Sequence, residues 1–341
     1  MFGRSIGKPR QVTTIVRSVN RSGLLLVLAI AIFLTSVGIA YAAFSVSTSN
    51  LGSSFQASNS FMRLATGSYT GDGQDNRTIT AGFQPDLVIV KRSNQLAVAK
   101  TSSMVSTESK RMTTGANLTG RISALVPSGF QVDDDTTVNQ INQAYTWTAF
   151  KSYPGSMAVG SYTGNNSNNR AINGIGFQPN LVWILPDRNS SSVQRSSYMS
   201  TTFTFTNSGT INNGITALTA DGFVVNSDNA TNGNNTAYHY VAWRNVTGAI
   251  NTGSYTGNNS DNRNITGTGF QPQFMTVTSA TTSNLPVHRN AAMIGDSSSH
   301  FTNTANKANS IQALQSNGFQ VGTDPTVNSN STTYYWTAFT N

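Results

Sequence analysis

The sequence contains few side chains that could do chemistry, and its densest acidic cluster is Asp133, Asp134 and Asp135. Carboxylate oxygens are ligands that calcium prefers, so this cluster is the candidate metal site. The competing interpretation is a turn in which Asx side chains cap the backbone. We predict no metal and no cofactor, and calcium at these three residues is the alternative that stays open.

Catalytic side chains are equally scarce. The chain has no cysteine, which excludes disulfides, thiolate metal sites and cysteine nucleophiles. Its three histidines are His239, His288 and His300, and their spacing fits no metal-ligand motif. Serine is abundant, yet beyond the N-terminal basic stretch, where residues 3–7 read G-R-S-I-G, no G-x-S-x-G nucleophile elbow occurs. We therefore predict no catalytic and no cofactor-binding residue, and a protein that is not an enzyme. A glycan-active enzyme, which would need two carboxylates across a cleft, is the remaining alternative.

The sequence contains three copies of one unit. G-S-Y-T-G recurs twice at a spacing of 93 residues, and each time it is followed by G-F-Q-P, by a second G-F and by an aromatic segment. Four signatures in the same order in three places indicate a repeat architecture. They lie at 67–71, 82–85, 129–130 and 145–150 in copy 1, at 160–164, 176–179, 222–223 and 238–243 in copy 2, and at 253–257, 269–272, 318–319 and 334–339 in copy 3.

The signatures predict β-strands. In the aromatic segment, Tyr145, Trp147 and Ala149 share one face, which is the period of two of a half-buried strand. The apolar run 87–90 is typical of a central strand that is covered on both faces. The repeated glycine before phenylalanine is expected to supply a turn or bulge conformation. Only 10% of the residues are charged, and glutamate occurs once, at Glu108, which disfavours surface helices.

We predict an all-β chain of three tandem β-sandwich, jelly-roll-like modules behind an N-terminal hydrophobic signal or anchor helix. The connections between modules are short, and a hairpin that crosses a boundary stays an alternative. The expected boundaries are 1–42 for a signal peptide or membrane anchor, 43–66 for a linker or leading strand, and 67–155, 156–248 and 249–341 for the three β-modules.

The first 42 residues have the order of a secretion signal. Basic residues precede the apolar run 24–34, and the small-residue triplet Ala40-Tyr41-Ala42 follows it. Cleavage is expected after Ala42. The alternative is an uncleaved anchor, because residues 23–44 are just long enough to span a bilayer. In both cases we expect the rest of the chain to be extracellular or at the cell surface.

The positive charge is concentrated at the N-terminus. The whole chain has a net charge of +8, but beyond residue 22 it carries 16 basic and 13 acidic side chains, a net charge of +3. This charge is too dilute for the basic surface that phosphate binding needs. We therefore predict no nucleic-acid partner, and contact with a membrane only through the N-terminal segment.

Longer segments around the signatures follow a common pattern. Residues 82–92 read G-F-Q-P-D-L-V-I-V-K-R, and residues 316–321 read S-N-G-F-Q-V. These segments, with G-S-Y-T-G and the Y-x-A-F ending, resemble the repeated β-sandwich module of bacteriophage tail-fibre and virion proteins. Copy 2 departs from the pattern, with Pro186-Asp187-Arg188 in place of Lys-Arg. The resemblance covers roughly residues 67–341. It implies a β-sandwich on an extracellular or virion surface, near receptor- or glycan-contacting parts.

The predicted function is that of an extracellular surface adhesin or binding protein, whose partner is a cell-surface glycan or a cell-envelope protein. The alternative is a structural subunit of an extracellular filament or surface layer that forms by self-association. The copies differ most at 91–120, 186–214 and 278–309. Variable loops on a constant framework are typical of a recognition surface, and drift in unconstrained loops is the competing interpretation.

N-terminal sequencing of the exported protein tests the predicted signal. The mature chain is expected to begin at Ala43, because the cleavage triplet ends at Ala42. A chain that begins at Met1 and stays in the cytoplasm would contradict export, whereas an exported chain that still begins at Met1 would favour the anchor.

Overall fold

The computed structural model describes residues 43–47, 54–58, 62–206, 209–281 and 283–341. The chain divides into two compact units, Met1–Ser60 and Phe61–Asn341. The three sequence copies all belong to the second unit.

The first unit contains one described hairpin. Strand β1 (Ala43–Ser47) pairs in antiparallel fashion with β2 (Ser54–Ser58). The predicted signal or anchor at residues 1–42, with its cleavage site at Ala42, lies outside the described residues. Within the described residues, no helix combines the length and the apolarity needed to cross a bilayer.

The second unit is built almost entirely from short strands. In copy 1 these are β3 (Arg63–Thr70), β4 (Arg77–Thr80), β5 (Leu87–Lys91), β6 (Val98–Thr101), β7 (Lys110–Arg111), β8 (Ile122–Val126), β9 (Gly129–Val132) and β10 (Ala144–Lys151). In copy 2 they are β11 (Met157–Thr163), β12 (Arg170–Asn173), β13 (Leu181–Pro186), β14 (Val193–Ser196), β15 (Thr202–Thr204), β16 (Thr210–Ile211), β17 (Ile215–Thr219), β18 (Gly222–Val225) and β19 (Ala237–Trp243). In copy 3 they are β20 (Ile250–Thr256), β21 (Arg263–Thr266), β22 (Phe274–Ser279), β23 (Val287–Asn290), β24 (Ser299–His300), β25 (Ile311–Gln315), β26 (Gly318–Val321) and β27 (Thr333–Phe339), with one short helix, α1 (Pro325–Asn328), before the last strand.

Each copy folds into two antiparallel sheets. In copy 1 the larger sheet has the order β3-β10-β5-β6-β7, and the smaller has the order β4-β9-β8. Copy 2 repeats this arrangement as β11-β19-β13-β14-β15-β16 and β12-β18-β17, and copy 3 as β20-β27-β22-β23-β24 and β21-β26-β25. The first strand of each copy pairs with the last strand of the same copy, so the copy closes its own sheet. The all-β fold predicted from composition and periodicity is confirmed.

The two sheets of a copy enclose a core of their own. In copy 1 this core combines Val88, Trp147 and Ala149 of the larger sheet with Ile122 and Phe130 of the smaller sheet. The rings of Phe130 and Trp147 meet edge to face, with centroids 5.6 Å apart. Copies 2 and 3 have corresponding cores. The alternating face of the aromatic strand is thus a packing face.

The first glycine of G-S-Y-T-G makes room for an aromatic ring. Gly67 lies opposite Trp147 in the β3–β10 pair, and a Cβ atom on Gly67 would lie 2.5 Å from the indole. The same pairs in the other copies are Gly160 with Tyr240 and Gly253 with Trp336. The glycine that opens G-F-Q-P has a different role, since Gly82 adopts a φ of +83°. Glycine tolerates this turn conformation better than any other residue, as the sequence predicts.

Strand β5 is buried on both faces, which confirms the prediction from its continuous apolar run. Val88 and Val90 point into the core of copy 1. Leu87 and Ile89 point the other way, into a second core to which all three copies contribute. The apolar run therefore joins two hydrophobic cores rather than one.

The last aromatic residues of the three copies meet at the centre of this shared core. Equivalent positions at or next to the ends of the three last strands are occupied by Phe150, Trp243 and Phe339. Their ring centroids are 5.9 Å apart for Phe150 and Trp243, 5.3 Å for Phe150 and Phe339, and 5.5 Å for Trp243 and Phe339. Three equivalent residues in mutual contact define an approximate threefold axis. The copies thus form a ring around one apolar centre.

The segments that differ most between copies form the contacts between neighbours. Their side chains Met112, Phe205 and Phe301 are buried in the shared core. Hydrogen bonds from these segments reach the next copy in turn: Lys110 Nζ donates to the carbonyl of Arg188 (3.2 Å), Gln194 Nε2 donates to Thr278 Oγ1 (2.9 Å), and Asn290 Nδ2 donates to the carbonyl of Trp147 (3.1 Å). The ring is therefore closed. Burial constrains these parts of the segments, which argues against drift in free loops.

The connections between copies belong to the packed structure. Isolated β-bridges join Tyr153 to Met157 and Val246 to Ile250, and Ala249 is buried. Because the copies share one core, the predicted boundaries at 155/156 and 248/249 stay predictions as limits of independently folding modules.

Replacing Trp243 with alanine is expected to destabilise the whole ring, because its fully buried side chain contacts both other copies. Such truncations cost about 3–5 kcal/mol. Scanning calorimetry should show a single transition at a lower Tm. The control is Tyr198→Ala, at a side chain that is 51% exposed. Three separate transitions, of which only one moves in the Trp243 variant, would contradict the shared core.

Candidate binding clefts

The acidic cluster predicted as a calcium candidate forms a turn after β9. Asp133 accepts a hydrogen bond from Ser123 Oγ (2.7 Å), and Asp135 lies 3.0 Å from the guanidinium of Arg121. Asp134 donates its backbone N–H to a carboxylate of a neighbouring loop. Within the described residues, no group of three or more histidine or acidic side chains is placed to hold a metal. These contacts fit the turn interpretation, and calcium at the three aspartates stays an alternative.

The three histidines are all buried structural side chains. His239 Nδ1 lies 2.9 Å from the hydroxyl of Ser103, which joins copy 2 to copy 1. His300 Nδ1 lies 3.3 Å from the carbonyl oxygen of Pro286. Among the residues that the structure describes, His288 has no hydrogen-bond partner on either ring nitrogen.

His288 packs against the shared core. Its ring centroid lies 4.6 Å from that of Phe301 and 5.9 Å from that of Phe274. Burial lowers the pKa of His288 to about 3, and the positive charges of Lys91 and His300 lower it further. The imidazole is therefore neutral in the folded protein near neutral pH.

Two buried lysines bind backbone carbonyls. Lys91 Nζ donates to the carbonyl of Gln95 (2.5 Å), and burial lowers the pKa of Lys91 to about 7. Lys110 Nζ donates to the carbonyl of Ser190 in the next copy (3.1 Å), and burial lowers the pKa of Lys110 to about 7 as well. These ammonium groups hold loops together, and neither is free for a ligand.

A repeated polar network pins the loop that follows the first strand of each copy. In copy 1, Arg77 lies over the ring of Tyr69 at 5.2 Å and donates to Asn139 Oδ1 (3.1 Å). Asn139 Nδ2 in turn donates to the carbonyl of Gln74 (2.8 Å), and Tyr69 stacks on Tyr145. The corresponding sets are Arg170, Tyr162 and Asn232 in copy 2 and Arg263, Tyr255 and Asn328 in copy 3. The partners of these groups are internal, so the network is structural.

A cleft opens between the two sheets of each copy, and we name it cleft 1, cleft 2 or cleft 3 after its copy. The volumes are about 390, 460 and 600 Å³, respectively. Nine equivalent positions line all three, and six of these serve to compare the clefts. They are Gln84, Lys100, Ser102, Met104, Leu125 and Lys151 in cleft 1, Gln178, Arg195, Ser197, Met199, Leu218 and Arg244 in cleft 2, and Gln271, Arg289, Ala291, Met293, Leu314 and Thr340 in cleft 3.

The glutamine of G-F-Q-P fixes one wall of each cleft. Its Nε2 donates to the carbonyl of the lining leucine, with distances of 3.0 Å from Gln84 to Leu125, 3.2 Å from Gln178 to Leu218 and 3.0 Å from Gln271 to Leu314. This bond ties the loop before the central strand to the smaller sheet. The shape of the cleft therefore depends on an interaction that is the same in every copy.

A basic residue lies inside each cleft. Lys100 Nζ donates to the carbonyl of Ser106 (2.8 Å), and burial lowers the pKa of Lys100 to about 8. Arg195 Nη1 donates to the carbonyl of Ile215 (2.7 Å), and Arg289 Nη2 donates to a backbone carbonyl at 2.6 Å. Burial lowers the pKa of both arginines. Each cleft thus contains a cation that is poorly solvated.

The second cationic position differs between the clefts. In cleft 1, Lys151 forms an ion pair of 3.1 Å with Asp86, which also lines the cleft. In cleft 2, the equivalent residue is Arg244, and none of the described residues that line the cleft is acidic. In cleft 3, the position is the neutral Thr340. Cleft 2 therefore has the largest uncompensated positive charge.

Exposed apolar side chains border the clefts. Four large hydrophobic residues among the described residues are exposed, and they are Val105, Ile141, Tyr198 and Ile294. Three of them occupy the loop that follows β6, β14 or β23, next to the methionine that lines the cleft. In each copy, therefore, one exposed apolar side chain directly precedes or follows a methionine that lines the cleft.

All three clefts lie at the same end of the ring, which we call the cleft end. Their lining residues Lys151, Arg244 and Thr340 directly follow the three aromatic residues that meet at the axis. The pinned loops at 71–76, 164–169 and 257–262 follow the opposite ends of the first strands, and we call this the loop end.

Sequence reasoning did not find these clefts. The basic residues lie in the most variable segments, so only strand pairing aligns them. A signal was nevertheless present, since each copy has a basic residue followed four positions later by methionine: Lys100 and Met104, Arg195 and Met199, Arg289 and Met293.

A family match covers copies 2 and 3. The profile of a family described as Domain of unknown function (DUF7483) matches residues 153–249 and 210–341, which together make up more than half of the chain. The chain belongs to the DUF7483 family. In this DUF7483 chain, the first match contains all strands from β11 to β19. No curated protein and no solved structure matched the chain. The family description states no function, so the resemblance to the phage module stays a prediction.

Acid is expected to destabilise the ring through His288. The pKa of this residue is lowered from 6.5 to about 3 by folding, so between these values the unfolded state binds a proton that the folded state does not. The free energy of unfolding should then fall by up to about 1.4 kcal/mol for each pH unit below 6.5. His288→Gln, which copies the equivalent residue Gln194, should flatten this slope in denaturant titrations. Equal slopes in both proteins would contradict a neutral buried His288.

Proposed function

We propose that this chain is an extracellular, non-enzymatic binding protein, an adhesin that contacts a glycan or another cell-envelope partner through its three clefts. Its three tandem β-sandwich, jelly-roll-like modules would follow an N-terminal signal or anchor and present the clefts at the cell surface. The tail-fibre resemblance of the signatures and the order of the first 42 residues support this location.

The observation that carries the proposal is that one cleft is built three times from equivalent residues. The same glutamine–leucine hydrogen bond, basic residue and methionine recur around the axis. Packing explains the buried parts of the variable segments, but it does not explain an open polar cleft in each copy. Repeated clefts of about 390–600 Å³ match the size of small-molecule sites, roughly 300–1,000 Å³.

Three equivalent clefts suit a ligand whose binding group is repeated. Three clefts at one end of a rigid ring can contact several units of one polymer or several copies of one surface group. Linked weak sites then bind far more tightly than any single site, because the later binding events are intramolecular. Polysaccharides and cell envelopes offer such repetition.

The lining of the clefts favours binding over hydrolysis. A glycosidase needs two carboxylates across the bond that it cleaves. Asp86 lines cleft 1 but is paired with Lys151, and in the part of the chain that the structure describes no acidic residue lines cleft 2 or cleft 3. Glutamine, serine and arginine side chains instead offer hydrogen bonds to sugar hydroxyl groups.

Blocking the clefts should abolish binding without unfolding the protein. The triple variant Ser102→Trp, Ser197→Trp and Ala291→Trp fills all three clefts from exposed positions. We expect it to lose binding on a glycan array and on isolated cell envelopes while its Tm is unchanged, because these side chains are not part of a core.

The matched control places tryptophans at the loop end, in the triple variant Gln74→Trp, Ser167→Trp and Ser260→Trp, whose positions are also exposed. It should bind like the wild type. Loss of binding in this control alone would move the site to the loop end. Filaments of the wild type in electron microscopy, together with no binding to glycans or envelopes, would favour the structural-subunit alternative.

A further inference from the structure

Cleft 2 differs from its neighbours in charge and in the exposed aromatic residue beside it. We propose that it is a subsite for an anionic saccharide, in which Arg195 and Arg244 bind the carboxylate of a sugar unit and Tyr198 contacts the sugar ring. This inference rests on the proposed function and adds the class of ligand to it.

The charge of cleft 2 is not balanced by the protein. Arg195 and Arg244 line it together, and its described lining residues include no carboxylate. Cleft 1 neutralises its second cation, because Lys151 pairs with Asp86 at 3.1 Å. Cleft 3 has Thr340 in place of a second cation. The electrostatic attraction for an anion is therefore strongest in cleft 2.

The two guanidinium groups of cleft 2 have donors to spare. Arg195 uses Nη1 for the carbonyl of Ile215 (2.7 Å), and a guanidinium has five N–H donors. Within the described residues, the side chain of Arg244 has no hydrogen-bond or ion-pair partner. Arg195 is half-buried, and burial lowers its pKa, so a nearby negative charge would stabilise its charged form. The planar fork of arginine matches the two oxygens of a carboxylate.

Tyr198 is an exposed aromatic residue in the loop beside cleft 2, and the corresponding loops 102–106 and 291–295 contain no aromatic residue. It is 51% exposed, and it is the one aromatic residue among the four exposed large hydrophobic side chains of the described structure. Its neighbours on both sides, Ser197 and Met199, line the cleft. The backbone N–H of Ser196 donates to Met199 Sδ (3.3 Å), and that of Met199 donates to the carbonyl of Ser196 (3.1 Å). The loop is thus fixed, and a rigid tyrosine contributes contact area at low entropic cost.

Neutral hydrogen-bonding groups complete the cleft. Gln178 uses its Nε2 for the carbonyl of Leu218 (3.2 Å), which leaves its Oε1 for a ligand hydroxyl group. Ser197 is exposed inside the cleft. Two cations, one aromatic ring and several amide and hydroxyl groups in one cleft match the chemistry of an acidic sugar.

The test uses the exported chain and three probes in isothermal titration calorimetry: an oligogalacturonate, its fully methyl-esterified form and a sulfated oligosaccharide. Methyl esterification keeps the sugar rings and removes the charge. We expect the affinity for oligogalacturonate to exceed that for the ester by about tenfold or more, because a charge-assisted hydrogen bond contributes about 1.5–3 kcal/mol. Rising ionic strength should narrow the difference.

Single variants locate the effect. Arg244→Gln and Tyr198→Ala should each weaken oligogalacturonate binding by about tenfold or more. The matched controls in cleft 1, Lys151→Gln and Val105→Ala, should change it less than about twofold, since Lys151 is already paired.

The outcomes separate this inference from the proposed function. Equal binding of the acid and the ester, unchanged by Arg244→Gln but lost in the triple cleft-blocking variant, overturns the inference and leaves the proposed function standing. Preference for the sulfated probe overturns the assignment of a carboxylate. Failure of all three probes also overturns the inference, and the envelope assay then decides the proposed function by itself.

Discussion

The contact among Phe150, Trp243 and Phe339 is the constraint on which the rest of the structure depends. The larger sheet of each copy is apolar on both faces, and its own smaller sheet covers only one of them. A single copy would expose the other face to water, which soluble monomers avoid. Three copies in one chain cover that face for one another. The orientation of the clefts, the burial of the connections and the role of the variable segments all follow from this arrangement.

Local patterns in the sequence predicted the strands, the repeat and the burial of residues 87–90 on both faces. They did not show what covers the second face of the strand at 87–90. That face packs in the core that the three copies share, and the contacts at the centre of this core join residues 93 or more positions apart. The sequence also did not show why residue 67 is a glycine. Gly67 makes room for the ring of Trp147, which lies opposite it only because of the register between β3 and β10, and no local sequence pattern shows that register. Short-range periodicity determines which residues are buried, and long-range pairing determines the residues that bury them.

For the candidate site too, the sequence predicted what depends on local chemistry and missed what depends on long-range pairing. The turn interpretation of Asp133 and Asp135 came from local chemistry, and the hydrogen bonds of the structure fit it. Each cleft instead combines the G-F-Q-P loop, which recurs in every copy, with a segment that differs between copies. A comparison of the copies along the sequence aligns the loop but not the variable segment, so it does not show that the two line one cleft. The variable segments also contain two kinds of residue, and the sequence does not show which residues pack against a neighbouring copy and which face solvent. One part packs against the neighbouring copy, as Phe301 does, and another part, such as Tyr198, faces solvent beside a cleft.

A ring made from one chain has a genetic consequence that an assembly of identical subunits lacks. In a symmetric homotrimer, one codon change alters three sites at once, so the sites stay identical. Here each cleft has its own codons, and a change at Arg244 leaves Lys151 and Thr340 as they are. Natural selection can therefore change the three clefts independently of one another while the shared core keeps their spacing fixed.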